Sequence, residues 1–225
     1  MVDKFFQGGP FMWPILILFI VGLALCVERL VTLSRASINT RQFMIDIKTA
    51  LSQKGFEAAM ELSSETKGPV ASLLYAGLLK AKRGVQAVEK AIESAGTIEM
   101  AFLEKNLIWL GTISTIAPLL GFTGTVSGMV GAFDDIAAAD DISPSIVAGG
   151  ISEALLTTLF GLIVAMIIQI LHNYFVSQID ALILDMEESS VELVDSLIDL
   201  SEGNLKVQPP AAPGGSDSGS GLASD

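Results

Sequence analysis

Residues 149 to 171 read GGISEALLTTLFGLIVAMIIQIL, an apolar run of helical character whose only ionisable side chain is Glu153. About 20 such residues, each rising 1.5 Å, cross the hydrocarbon core of a bilayer as a helix. Two further runs accompany it: PFMWPILILFIVGLALCV over 10–27, and an apolar region over 107–133. The expected fold is therefore all-α, a polytopic membrane protein with three transmembrane helices, the second and third extending into a cytoplasmic helical domain. A cleaved signal peptide is rejected for the first run. Only Lys4 precedes it, no small-residue cleavage site follows, and ERLVTLSR continues as amphipathic helix.

Composition agrees. Hydrophobic residues make up 51% of the chain and the mean hydropathy is +0.58, a level that water-soluble domains rarely reach. Aromatics are only 7%, with abundant Gly, Ala, Leu and Ile, which suits closely packed membrane helices better than a β-barrel. A lone Cys26 excludes an intramolecular disulfide and does not make a metal site. A net charge of −12 argues against a nucleic-acid surface.

The basic residues orient the spans. Of 13 Lys and Arg, only Lys4 and Lys206 lie outside the stretch from Arg29 to Lys105. The positive-inside rule places that stretch in the cytoplasm. The expected order is a periplasmic N-terminus (1–9), the first span (10–27), a cytoplasmic helical domain (28–106) and the second span (107–133). A periplasmic loop (134–145), the third span (146–174), a cytoplasmic helix (175–202) and a disordered tail (203–225) follow. Trp13, Trp109 and Tyr174 fall at span ends, as an interfacial aromatic belt requires.

Within the cytoplasmic region the helical pattern is broken at KG (54–55), KGP (67–69) and around Gly84. From Val85 to the outer loop nothing in the sequence signals a break, so one helix of about 50 residues, about 75 Å, is expected. Pro118 is expected to bend it. Ser143 and Pro144 read as the cap and first position of the third membrane helix. The acids after 175 alternate with apolar residues at helical spacing, the pattern of a solvated face.

Two stripes of small and hydroxylated residues mark the spans. Gly121, Gly124, Thr125, Gly128, Gly131 and Ala132 recur at steps of three and four in the second. Glu153, Thr157, Gly161 and Ala165 do so in the third, with Thr158 about 100° round. In lipid such stripes let helices approach closely. A phosphate-binding loop is excluded, because no Lys follows the glycines and no strand precedes them. Glu153 needs another reason. A central intramembrane acid costs about 2.5–3.5 kcal/mol, somewhat less toward the interface. No Lys or Arg in the spans can pair with it.

GGPFMWPILIL…VERL (8–30), APLLGFTGTVSGMVGAF (117–133) and GGISEALLTTLFGLIVAMIIQILHNYF (149–175) together resemble the ExbB/TolQ branch of the MotA/TolQ/ExbB proton channel family. The resemblance covers nearly the whole chain apart from the tail. It implies a homo-pentamer in the bacterial inner membrane enclosing a dimer of an ExbD/TolR-like single-span protein with an intramembrane Asp. Ion flow would turn that pair, and work would pass to a TonB/TolA-like protein spanning the periplasm. Membrane lipid would be the surroundings; no nucleic acid and no cofactor is implied beyond the translocated H+ or Na+. By motif, Thr125 and Thr158 match a polar ring facing the partner's Asp, and Glu153 matches the acid of the EAL segment. Gly121, Gly124, Gly128, Gly161 and Ala165 would serve helix packing or line the lumen. Two positions depart from the family pattern. Thr157 stands where proton-driven members more typically have Ala, which resembles sodium-driven stators, and Ser127 stands where a bulky residue is common.

A non-conducting scaffold for an envelope complex is the alternative, and it leaves Glu153 and the double Thr unexplained. An intramembrane enzyme would need a Ser–His pair, two intramembrane Asp or a zinc motif, none of which the sequence contains.

Overall fold

The computed structural model describes residues 2–139 and 144–201. The expected tail, the middle of the outer loop and the Ser143 cap lie outside the described residues. Every regular element among the described residues is helical: α1 (Val2–Gln7), α2 (Met12–Ala36), α3 (Thr40–Gln53), α4 (Phe56–Glu65), α5 (Pro69–Lys80), a 3-10 turn (Ala81–Arg83), α6 (Val85–Leu103), α7 (Leu107–Ala139) and α8 (Pro144–Ser201). Three helices, α2, α7 and α8, are long and apolar enough to cross a membrane. The chain divides into two compact units. Among the described residues the first comprises those of 2–37 and 97–185, the second those of 38–96 and 186–201.

The first unit leaves many large apolar side chains exposed and buries small ones along with its large core residues. Gly22, Cys26, Ala117, Ala154, Thr157 and Ala165 are buried, while Ile17, Ile108, Phe122, Leu155, Met166 and Ile170 are exposed. That distribution would be unstable in water. In lipid it is the expected one, because tails solvate the large apolar groups and small residues allow close helix contact. Gly22 shows the second half of the rule: a Cβ there would lie 2.7 Å from Ile168 Cδ1, so the Ile168 side chain of α8 packs on the bare backbone of α2. Trp13, Trp109 and Tyr174 are all exposed.

The uninterrupted helix expected from Val85 onward is not formed. α6 ends at Leu103 and α7 starts at Leu107, with Asn106 between them at φ 66. Neither Gly nor Pro stands at this break; Arg29 of α2 packs against it. Its side chain is 1% exposed, and Nη1 donates to the Leu103 carbonyl at 2.9 Å, an acceptor left free by the helix end. Its Nε and Nη2 donate to the two carboxylate oxygens of Glu28 at 3.1 and 2.9 Å. Asn106 Nδ2 donates to Glu28 Oε2 at 3.0 Å, and the Asn106 carbonyl accepts from Trp109 N–H at 3.2 Å to start α7. Asn tolerates the left-handed region better than other side-chain-bearing residues. Beyond the break α7 carries Pro118 without ending there and continues past the expected end of the second span to Ala139. Asp134 and Asp135 are thus helical, not loop.

In the second unit α3, α4 and α5 join residues 85–96 of α6 and 186–201 of α8 around a core that includes Ile47, Ala59, Leu74, Val88 and Leu193. The three sequence breakers stand where α3, α5 and the 3-10 turn end or begin: Gly55, Gly68 and Gly84 have φ of 84, 137 and 95. Asn39 caps α3, accepting from Gln42 N–H at 3.2 Å. On α8, Met186, Leu193 and Leu197 are buried while Glu187, Glu188, Asp195 and Asp199 face solvent. Glu192 pairs with Lys48 of α3.

Candidate functional site

Helices α7 and α8 run antiparallel and meet along the two small-residue stripes. Gly161 sits against the Ala117 carbonyl, and a Cβ there would lie 2.6 Å from that oxygen. Gly121 meets the backbone of Thr157 and Thr158, where a Cβ would lie 3.0 Å from the Thr157 carbonyl oxygen and the Thr158 Cα. Gly124 meets the Thr157 side chain, with Oγ1 at 2.6 Å from such a Cβ. Gly128 meets Ala154 and the Gly150 carbonyl, at 3.2 and 3.3 Å by the same measure. Gly131 leaves the seam: nothing lies within 4 Å of a Cβ built on it. Ala165 is buried further along α8.

Close backbone approach brings the threonine hydroxyls together. Thr125 Oγ1 lies in short hydrogen-bond contact with Thr158 Oγ1. The Thr125 hydroxyl also reaches the carbonyls of Gly121 and Ala154, both at 3.2 Å, and Thr158 Oγ1 donates to the Gly121 carbonyl at 3.0 Å. Each hydroxyl has one proton and two lone pairs. With Thr158 donating to Gly121, its oxygen accepts from Thr125, and a lone pair on each oxygen is still available to an outside donor or cation. Thr157 behaves differently. It is buried, and its hydroxyl donates to the Ala154 carbonyl at 2.7 Å, the back-bond to the preceding turn that threonine often makes in helices.

Glu153, one turn from Thr157, lines a recess of about 380 Å³ between α7, α8 and the turn that precedes α2. Its walls include Ser127, Gly128 and Asp135 of α7, Gly150 of α8, and Pro10 and Phe11. No Lys or Arg is among the lining residues, and two carboxylates are. The half-buried Glu153 therefore stands at a polar recess, a setting that reduces the cost of its charge.

Sequence reasoning placed Asp135 in a loop and did not connect it with Glu153. The available signal was the spacing of FDD, within one turn of Gly131 on the same apolar helix. The contribution of the GGP turn was legible only as a motif.

Over residues 65–188 the sequence matches the model of the MotA/TolQ/ExbB proton channel family. The chain belongs to this family. The stretch matched contains the whole α7–α8 seam, Glu153 and both hydroxyl partners; Gly9, Glu28 and Arg29 lie outside it. An ExbB homolog of Methanothermobacter thermautotrophicus, described as a biopolymer transport protein, is 30% identical over 207 residues, covering 92% of this chain and 72% of that protein. An ExbB-like protein of Synechocystis is 29% identical over 181 residues, covering 79% and 71%. The Tol-Pal system protein TolQ of Pseudomonas aeruginosa is 33% identical over 99 residues, 44% of this chain and 43% of TolQ. Membership of the MotA/TolQ/ExbB family gives the three apolar helices a common purpose: this is a transport and channel family, not an enzymatic one.

Proposed function

We propose that this chain is the channel and stator subunit of an ion-driven motor of the ExbBD/TolQR type in the cytoplasmic membrane. Five copies would enclose a pair of single-span partner subunits whose intramembrane Asp takes up and releases the ion. Work would pass to a periplasm-spanning protein of the TonB or TolA kind. The observation that carries the reading is the Thr125–Thr158 hydroxyl pair, held between the Gly121 and Ala154 carbonyls on the seam that leads to the Glu153 recess. A carboxylate that loses and regains its ion at membrane depth needs oxygen ligands in a wall otherwise made of small residues. The pair supplies such ligands without a fixed countercharge that would trap the ion.

The concentration of Lys and Arg between Arg29 and Lys105 supports a cytoplasmic location for that region, with the N-terminus periplasmic and the C-terminus cytoplasmic. One charge moving through 100 mV releases about 2.3 kcal/mol, enough to bias a rotation step. The proton is the ion we assign. Thr157, the residue that resembled a sodium ligand, is buried, with its hydroxyl turned onto the Ala154 carbonyl of its own helix.

Native mass analysis of the complex extracted from its own host tests the assembly. Five copies with two of a small single-span, Asp-bearing protein are expected, and a homo-oligomer that never carries such a protein would favour the scaffold. Flux measured separately in proton and sodium gradients then identifies the ion.

A further inference from the structure

The turn between α1 and α2 is tied at both ends. Gly8 N–H donates to the Phe5 carbonyl at 3.2 Å, and the Gly9 carbonyl accepts from Met12 N–H at 3.3 Å. Between those anchors Gly9 has φ 68, a left-handed conformation that glycine adopts at no steric cost. Gly9 also has no room for a side chain. A Cβ built on it would overlap the Glu153 Oε1 atom and lie 2.7 Å from its Cδ and 3.2 Å from its Cγ. The Glu153 carboxylate thus rests directly on the main chain of the turn. A flexible glutamate moves more easily than a turn anchored to two helices, so a side chain at position 9 would swing the carboxylate away, into the recess lined by Gly128 and Asp135.

We propose that Gly9 is a positioning residue: its bare α-carbon sets the conformation of Glu153, and with it where the carboxylate stands along the ion path. The functional part rests on the reading of Glu153 as a member of that path. The position lies outside the stretch matched by the family model, and neither periodicity nor charge distinguishes it in the sequence.

The test uses the full complex in its own membranes, with Gly9→Ala and Gly9→Asn. Asparagine accepts the left-handed backbone better than alanine does, so it isolates collision from backbone strain. The rate at which a water-soluble carbodiimide and an amine modify residue 153 reads the carboxylate's position. Ion flux in the same vesicles reads its function, and native mass confirms assembly. Both variants are expected to raise the labelling rate several-fold and lower flux. Adding Glu153→Asp to Gly9→Ala, which shortens the acid by one methylene, should recover part of that flux. Wild-type labelling in both variants, or a change in Gly9→Ala alone, overturns the positioning role. A Glu153→Gln variant that conducts at the full rate overturns instead the reading of Glu153 as a path residue, whatever the labelling shows.

Discussion

Gly161 of α8 packs against the carbonyl oxygen of Ala117 in α7 so closely that a methyl group at 161 would stand 2.6 Å from it. The obstacle is backbone, which cannot rotate aside as a side chain can. Gly161→Ala should therefore force the two helices apart and pull the Thr125 and Thr158 hydroxyls out of contact. Overpacking of this kind costs about 1–3 kcal/mol. Thermal unfolding of the purified protein should show the loss, and Gly131→Ala, facing open space on α7, should show none.

A contrast comes from Gly77 on α5. A Cβ there would lie 2.9 Å from Ile92 Cγ1 and 3.2 Å from Leu193 Cδ2, both parts of side chains with other rotamers available. Alanine also gains about 1 kcal/mol of helix propensity over glycine. Gly77→Ala should fall within about 1 kcal/mol of the parent in the same unfolding assay, while Gly77→Val should lose about 1–3 kcal/mol. Equal losses at Gly77→Ala and Gly161→Ala would refute the distinction between backbone and side-chain obstacles.

Thr158→Val keeps the shape of the side chain and removes the hydroxyl that meets Thr125 and the Gly121 carbonyl. One hydrogen-bonding ligand is worth about 0.5–1.5 kcal/mol. Ion flux should fall by up to about tenfold, with the complex still assembled by native mass. Undiminished flux in the assembled variant would support the scaffold.

Glu28 carries a pH signature. The hydrogen bonds from Arg29 hold its carboxyl below the ordinary glutamate range, against an opposing effect of partial burial, and Asn106 and the charges of Arg29 and Lys105 lower it further. A carboxyl depressed in the folded state contributes stability that is present above the unfolded value, about 4.3, and is lost as pH falls through the folded one. The wild type should lose stability on acidification more steeply than Glu28→Gln. Identical pH profiles of melting temperature for the two proteins would contradict this linkage.

Arg29→Met tests the break between α6 and α7. It removes the donor that serves the Leu103 carbonyl and leaves Glu28 without its bidentate partner. A hydrogen bond to a charged group contributes about 1.5–3 kcal/mol. A melting temperature unchanged by the substitution would show that Arg29 is not what holds the helix end.

The three apolar runs, the helix breakers at Gly55, Gly68 and Gly84, and the small-residue stripes are properties of a few neighbouring residues, and the sequence alone determined them. Apolar length sets whether a helix can cross a bilayer, a glycine at positive φ ends a helix, and steps of three and four define a face. The tertiary structure decided which of those faces are used. Arg29 meets the Leu103 carbonyl from 74 positions away, a contact that no local pattern around the break could announce. Gly131 shares the stripe but leaves the seam, and with Asp135, one turn further along, it lines the recess of Glu153 instead. Gly9 lies in a turn far from Glu153 in the chain, and only packing brings its α-carbon to the carboxylate. Periodicity tells which side chains share a face; what that face meets depends on backbone approach between distant segments.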